Sequence, residues 1–167
     1  MRVLITGITG FVGSHMADML FPRSDIELFG TYRRRSRLDN LENLLPHLNL
    51  IEVGVSSVQT IRAAFLPGKI NMVNTDLVDA FSVQKLIGAV RPDRIFHLAA
   101  QSFVPTSWNA PAETLTTNIL SQLNIFEAVR ELRNGAPGDQ AGVDPLIQIA
   151  GSSEEYGLVL PDEVPMT

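Results

Sequence analysis

Three glycines spaced three apart follow the first apolar run of the chain. They are Gly7, Gly10 and Gly13 in "LITGITGFVGSH". Between a strand and a helix, the first glycine permits a tight turn, the second lets a diphosphate approach the backbone, and the third lets the helix pack on the strand. The helix N-terminus adds free N–H groups and a positive dipole end. The spacing predicts a dinucleotide phosphate site; the alternative is a tight turn that binds nothing.

A basic cluster follows the second apolar run, in "GTYRRRSR". Arg33, Arg34 and Arg35 with Ser36 offer guanidinium groups and a hydroxyl, and no carboxylate follows until Asp39. At this position of a dinucleotide-binding fold an acidic residue binds the adenosine ribose, whereas a basic residue accepts a 2′-phosphate. The cluster favours NADP over NAD; the alternative is a basic strand end that simply faces water.

Further candidates lie after the third and fourth predicted strands. The carboxylate of Asp76 either accepts the adenine amino group or caps the helix that begins near Asp79, and the sequence leaves both open. His97 lies in an apolar run and is expected to be a hydrogen-bonded core residue, since nothing nearby completes a metal site. Ala99 and Ala100 are small enough for a cofactor to approach the backbone.

Short β-branched runs alternate with stretches of helical period, which predicts an α/β fold with a doubly wound parallel sheet. The predicted strands are Val3–Thr6, Ile26–Tyr32, Ile70–Val73, Arg94–Leu98 and Leu146–Ala150. The predicted helices are Gly13–Phe21, Asp79–Val90 and Pro111–Leu132, the last with Leu115, Ile119, Leu123, Phe126 and Val129 on one apolar face. Residues 38–66 are open between an inserted hairpin and a helix. Residues 134–145 are expected to form a surface loop.

Composition narrows the class of protein. The 167 residues are 45% hydrophobic, enough for one sizeable core. A net charge of −5 gives no reason to expect nucleic acid or an acidic membrane as partner, and no apolar stretch is long enough to cross a bilayer. The absence of cysteine excludes disulfides and thiolate metal sites and fits a reducing compartment. We expect a cytoplasmic protein without a metal.

An ordered set of motifs carries a family resemblance. The segments are "LITGITGFVGSH", "DLVDAFSV", "PDRIFHLAAQSFVPTSW", "TTNILSQLNIFEAVR" and "IAGSSEEYGLVLPDEVPMT". Together they resemble extended short-chain dehydrogenases/reductases that act on nucleotide sugars, most closely GDP-mannose 4,6-dehydratases and GDP-4-keto-6-deoxy-mannose reductases. The resemblance covers the chain apart from residues 38–66 and 134–145. It implies a Rossmann fold, a nicotinamide cofactor, a GDP-sugar substrate and a homo-oligomer.

The resemblance also implies roles for individual residues. It places cofactor contacts on Gly7, Gly10, Phe11, Val12, Gly13, Arg33, Arg34, Arg35, Ser36, Asp76, Leu77, Leu98, Ala99, Ala100, Gln101 and Ser102. It matches Ser152 to the hydroxyl of the family's Ser/Thr-Tyr-Lys triad and Glu154 to the dehydratase base, whereas Tyr156 is expected to be a packing residue. The Tyr-x-x-x-Lys motif does not occur in the sequence. Residues 1–167 are therefore expected to form an NADP-binding domain that stops before the substrate region and lacks a complete catalytic set.

Two reactions of the family differ in what they ask of these residues. A dehydratase oxidises the sugar at C4, removes the C5 proton, expels water from C6 and returns the hydride to C6, and Glu154 would take the C5 proton. A reductase needs only a hydride and a proton donor at C4. Phe11-Val12, Glu113, Asn118 and the doubled glutamate of "SSEEYG" lean towards the reductases, whereas "RRRSRLDN" and "LAAQS" lean towards the dehydratases.

We favour the dehydratase on this balance. The alternatives are the reductase, another nucleotide-sugar epimerase or dehydratase, and, in a different class, an NADP-binding module without catalysis. A Tyr-x-x-x-Lys motif on the same polypeptide would support the enzyme over the module.

Overall fold

One parallel sheet forms the centre of the molecule. The computed structural model describes residues 1–54, 56–134, 142–152, 157 and 159–164. The strands are β1 (Arg2–Thr6), β2 (Glu27–Tyr32), β3 (Leu48–Glu52), β4 (Ile70–Asn74), β5 (Arg94–His97) and β6 (Leu146–Ile149). Their order is β3-β4-β2-β1-β5-β6, and every neighbouring pair is parallel. The chain winds outward from β1 in one direction and then in the other, which confirms the predicted doubly wound sheet.

Helices cover both faces of this sheet. They are α1 (Phe11–Leu20), α2 (Val58–Ala63), α3 (Ala80–Val90), α4 (Val104–Asn109) and α5 (Pro111–Asn134), with 3-10 segments at Asp39–His47 and Pro161–Glu163. Side chains cap the N-termini of α2 and α3: the Ser57 hydroxyl accepts from the Thr60 amide, and the Asp79 carboxylate accepts from the Phe81 amide. Within the described residues, no helix is both long and apolar enough to cross a membrane.

The central strand β1 has apolar side chains on both faces, as expected for a covered parallel strand. Val3, Leu4 and Ile5 are at most 1% exposed. Successive strand residues point to opposite faces. Leu4 therefore packs in a cluster with α3 and α5, while Val3 and Ile5 pack in a second cluster with α1 and the Asp39–His47 segment.

Residues 38–66 form neither a hairpin nor a single helix. The alternating run "LNLIE" forms β3, which pairs in parallel with β4 from Leu48 opposite Ile70 to Glu52 opposite Asn74. A hairpin would require antiparallel pairing, so the hairpin expectation is wrong. Helical structure is present, but it is divided between a 3-10 segment before β3 and the short helix α2 after it. This region therefore adds an edge strand to the sheet.

The buried face of α5 also differs from the prediction. Of the predicted apolar face, only Val129 is buried; Leu115, Ile119, Leu123 and Phe126 are exposed. The residues that α5 buries are Ser121, Ile125, Ala128 and Val129. The sequence carries two apolar stripes on this helix, and the periodicity alone does not say which one meets α3. The small side chains of Ser121 and Ala128 permit close helix packing, which explains why that stripe faces inward.

Candidate nucleotide-binding site

A cleft of about 760 Å³ opens at the carboxyl ends of the central strands. It lies where the strand order reverses, the position at which open α/β sheets bind ligands. The predicted cofactor residues that line it are Gly7, Gly10, Phe11, Val12, Gly13, Arg33, Ser36, Asp76, Leu77, Leu98, Ala99, Ala100 and Ser102. The structure therefore brings most of that predicted set into one place.

Main-chain contacts pack the glycine turn so tightly that two of its positions have no room for a side chain. Gly7 has φ +72°, and a Cβ there would lie 2.8 Å from the Ala99 nitrogen. A Cβ at Gly13 would collide with the Gly7 carbonyl oxygen and lie 2.7 Å from the Cα of Ile8. The Gly10 amide donates to the Gly7 carbonyl at 2.9 Å, which closes the turn.

Helix α1 begins at the rim of the cleft. Its N-cap is Gly10, which has no side chain to cap the first turn. The amides of Phe11 and Val12 therefore have no acceptor within the helix, and both residues line the cleft. Free amides at a helix N-terminus attract phosphate oxygens. This end of the cleft therefore offers free amide donors.

A buried hydrogen-bond pair fastens β1 to β5 beneath the turn. Thr6 Oγ1 lies 2.8 Å from His97 Nδ1 and accepts from the Ala99 amide at 3.3 Å. Thr6 is fully buried and His97 is 5% exposed. Burial lowers the pKa of His97, which favours a neutral ring whose Nδ1 accepts the Thr6 hydroxyl proton. The prediction of a hydrogen-bonded core histidine is confirmed. In the described parts of the chain no group of three or more Asp, Glu or His side chains is placed to hold a metal.

The basic cluster lies at the other end of the cleft. Arg33, Arg34 and Arg35 are exposed and line a second cavity of about 530 Å³, which shares Arg33, Ser36 and Asp76 with the cleft. Ser36 Oγ accepts from the Arg33 amide at 3.0 Å, and the Ser36 amide donates to the Arg33 carbonyl at 2.7 Å. None of the three guanidinium groups forms an ion pair with a described residue. Three positive charges are therefore available to a ligand.

The carboxylate of Glu52, at the end of β3, is already engaged. It accepts from the Tyr32 hydroxyl at 3.3 Å and from Asn74 Nδ2 at 2.6 Å. Burial, followed by the charge of Glu52, raises the pKa of Tyr32. These contacts hold Glu52 between two neutral side chains and leave the arginines to other anions.

The structure separates the two alternatives for Asp76. The helix cap belongs to Asp79, whereas Asp76 Oδ1 accepts from the Val78 amide at 3.1 Å in the preceding turn. Asn124 of α5 holds the same segment, because its Nδ2 donates to the carbonyls of Leu77 and Val78, both at 2.9 Å. Asp76 is thus part of a fixed wall of the cleft.

Gln101 is the predicted cofactor residue that lines neither the cleft nor the second cavity. Asn118 of α5 accepts from the Gln101 amide at 2.7 Å and donates to its carbonyl at 3.1 Å. The Gln101 side chain donates to Thr114 Oγ1 at 3.2 Å. Its side chain therefore contacts α5, and its neighbour Ser102 lines the cleft.

Of the two predicted catalytic residues, the structure describes only Ser152. Ser152 follows β6, is exposed, and is not one of the described residues that line the cleft. Glu154 and Tyr156 lie outside the described residues, as does most of the predicted loop at 134–145.

The family model described as GDP-mannose 4,6 dehydratase matches residues 4–167. The chain belongs to the GDP-mannose 4,6-dehydratase family. The resemblance carried by the motifs is thereby confirmed.

Individual members of the family match the chain over almost all of its length. A GDP-mannose 4,6 dehydratase of Drosophila melanogaster is 29% identical over 159 residues, which cover 94% of this chain and 35% of the relative. GDP-mannose 4,6 dehydratase 1 of Arabidopsis thaliana is 31% identical over 160 residues, covering 96% and 39% respectively. The chain thus spans little more than a third of the length of these relatives.

Solved structures show the same fold. The UDP-glucose 4-epimerase of Thermus thermophilus, determined in complex with NAD, superimposes with a TM-score of 0.55 at 27% identity and covers 78% of this chain and 34% of that one. The epimerase is therefore similar to this family member in both backbone and sequence.

Motif comparison with the dehydratase family missed one wall of the cleft, which the first half of α5 supplies. The residues of α5 that line the cleft are Ala112, Glu113, Thr116, Thr117 and Ser121. The loop after β4 adds Thr75 and Val78 to the lining. The signal is present as small and polar residues that recur every three to four positions along "PAETLTTNILS". The apolar residues of this segment alone do not reveal that second face.

Proposed function

We propose that residues 1–167 are the NADP-binding domain of a nucleotide-sugar-modifying enzyme, most simply a GDP-mannose 4,6-dehydratase. One observation carries the proposal. A cleft lined by a glycine turn with no room for side chains adjoins a cavity lined by three arginines that form no ion pair with a described residue. A dinucleotide with a 2′-phosphate has a diphosphate for the glycine turn and a 2′-phosphate for the arginine cluster. Membership of the dehydratase family supports the same ligand class.

Residues along the cleft support NADP as the ligand. The amides of Phe11 and Val12 would hold the diphosphate, and Arg33 with its neighbours would hold the 2′-phosphate. Asp76 and Leu77 would contact the adenine, and Ala99 and the residues after it the nicotinamide half. NAD bound to the related epimerase supports a nicotinamide cofactor, and the arginines favour the phosphorylated form. Bound NADP supplies a hydride acceptor.

The substrate is proposed to be a GDP-sugar, as the names of the dehydratase relatives indicate. Ser152 would orient the C4 hydroxyl of the sugar. Once C4 has been oxidised to a ketone, which makes the C5 proton acidic, Glu154 would take that proton and water would leave from C6. We further propose a homo-oligomer, as the family resemblance implies. The absence of cysteine fits a cytoplasmic location.

Intact mass followed by two assays tests this function. A protein of 18.3 kDa carries no Tyr-x-x-x-Lys motif, so we expect saturable NADPH binding and no turnover of GDP-mannose. Turnover by that protein would overturn the triad assignment, and the absence of NADPH binding would overturn the cofactor domain. If the purified protein is larger, we expect NADP-dependent loss of water from GDP-mannose by mass spectrometry. NADPH binding without that product would favour the non-catalytic module.

A further inference from the structure

A side chain outside the cleft connects the glycine turn to the segment that follows the arginine cluster. Asn40 belongs to the 3-10 segment Asp39–His47, and its Nδ2 donates to the Thr9 carbonyl at 2.9 Å. Thr9 lines the cleft, whereas Asn40 lines neither the cleft nor the second cavity. The bond therefore joins two segments that are 31 residues apart in the sequence without occupying the space for a ligand.

The acceptor of this bond is part of a peptide group that is held from its other side as well. The peptide group between Thr9 and Gly10 is planar, so the Thr9 carbonyl and the Gly10 amide keep a fixed relative direction. The Gly10 amide donates to the Gly7 carbonyl at 2.9 Å. Asn40 therefore bonds to a carbonyl of defined direction on an anchored turn.

The arginine cluster is linked to Asn40 by a short stretch of chain. The turn that presents the arginines ends at Ser36, two residues before Leu38. Leu38 packs against the buried apolar cluster that contains Ile8 of the glycine turn, and Leu41 belongs to that cluster. Apolar contacts are non-directional. The hydrogen bond of Asn40, which lies between the two leucines, therefore fixes how this segment sits on the turn.

We propose that Asn40 is a positioning residue for the selection of NADP. It holds Arg33, the arginine of the cluster that lines the cleft itself, at a set distance from the glycine turn. One dinucleotide then reaches both groups without first ordering the segment between them. This inference rests on the NADP-binding function proposed above. A dinucleotide without a 2′-phosphate does not depend on where Arg33 lies.

The test titrates the full chain and its Asn40→Leu variant with NADPH and with NADH. Leucine has the branched shape of asparagine and cannot donate the bond to Thr9. We expect NADPH binding to weaken about 3-fold to 10-fold and NADH binding to change by less than about 2-fold. Asn43→Leu is the matched control, because Asn43 is exposed in the same 3-10 segment and should change neither affinity.

A second comparison separates positioning from direct contact with the ligand. In an Arg33→Ala background the group that Asn40 positions is gone, so adding Asn40→Leu should weaken NADPH binding by less than about 2-fold. If Asn40 bound the 2′-phosphate itself, its substitution would cost the same in both backgrounds. That result would overturn the inference.

The outcomes also separate this inference from the proposed function. If the unaltered chain does not bind NADPH, or binds NADH equally well, the proposed NADP-binding function fails. If it prefers NADPH and Asn40→Leu behaves like the Asn43→Leu control, only this inference fails. Equal weakening of NADPH and NADH by Asn40→Leu would also overturn it, because the effect would then lie in the glycine turn or the fold and not in the placement of Arg33.

Discussion

The two ends of the cleft are built in different ways. The glycine turn is anchored to the end of the sheet: Gly7 packs against the main chain of Ala99, and the Thr6–His97 bond lies buried beneath it. The arginine cluster is on the surface, where hydrogen bonds between Arg33 and Ser36 form the turn that presents it. The end proposed to bind what NAD and NADP share is therefore anchored by buried main-chain and side-chain contacts. The end proposed to distinguish NADP from NAD is exposed, so its side chains can be substituted without disturbing the packing of the core.

The sharpest way to break this comparison is Gly13→Ala. The new Cβ would collide with the Gly7 carbonyl, so the turn must move. We expect a loss of about 1–3 kcal/mol in the free energy of unfolding and loss of both NADPH and NADH binding. Urea unfolding and fluorescence titration measure the two effects.

Gly88→Ala is the matched control for this substitution. Gly88 is also a helical glycine, but a Cβ there meets only Val58 at an ordinary 3.5 Å. We expect it to stabilise the chain by about 0.5–1 kcal/mol. If Gly13→Ala behaves like this control, the turn is not fixed by its contacts.

A substitution in the arginine cluster should change the affinity for NADPH and not the affinity for NADH. We expect Arg33→Ala to weaken NADPH about 10-fold to 100-fold, since a bond to a charged group is lost, and to leave NADH nearly unchanged. Calorimetric titration measures both constants. Arg37→Ala removes the same charge from a side chain paired with Asp39 and should have a smaller effect on NADPH. Equal loss of both dinucleotides in Arg33→Ala would contradict the 2′-phosphate assignment.

The support beneath the turn should depend on pH. Burial holds the pKa of His97 below its ordinary value of 6.5. Just below that value the unfolded chain binds more protons than the folded one, so the stability contributed by neutral His97 falls as the pH falls. We expect unfolding curves at about pH 7.5 and 5.5 to differ less in His97→Gln than in the unaltered chain. His47→Gln, at an exposed position, should keep the full difference.

The smallest effect is expected at Ser36. Its hydroxyl accepts the Arg33 amide, so Ser36→Ala loosens the turn that presents the arginine without removing a charge. We expect NADPH binding to weaken about 2-fold to 5-fold, with no change in the thermal midpoint of the free chain. A loss as large as that of Arg33→Ala would show that the hydroxyl itself binds the phosphate.

Local signals predicted much of the fold and of the site. The glycine spacing, the apolar strands and the arginine cluster depend on neighbouring residues, and the structure places them as predicted. The predictions were wrong where contacts between residues far apart in the sequence determine the structure. Strand β3 is defined by its pairing with β4, which lies later in the sequence. Which apolar stripe of α5 is buried depends on how that helix packs against α3. The positions of Thr75 and Ser121 on one cleft follow from that same packing, which no local pattern records.

The ratio of the NADPH and NADH dissociation constants for the unaltered chain tests the central claim most directly. It is best measured at low and at high salt, because screening weakens exposed charge pairs. We predict that NADPH binds at least about 10-fold more tightly at low salt and that this advantage shrinks as salt rises. Equal affinities at both salt concentrations would contradict a cleft that joins a phosphate turn to a 2′-phosphate site.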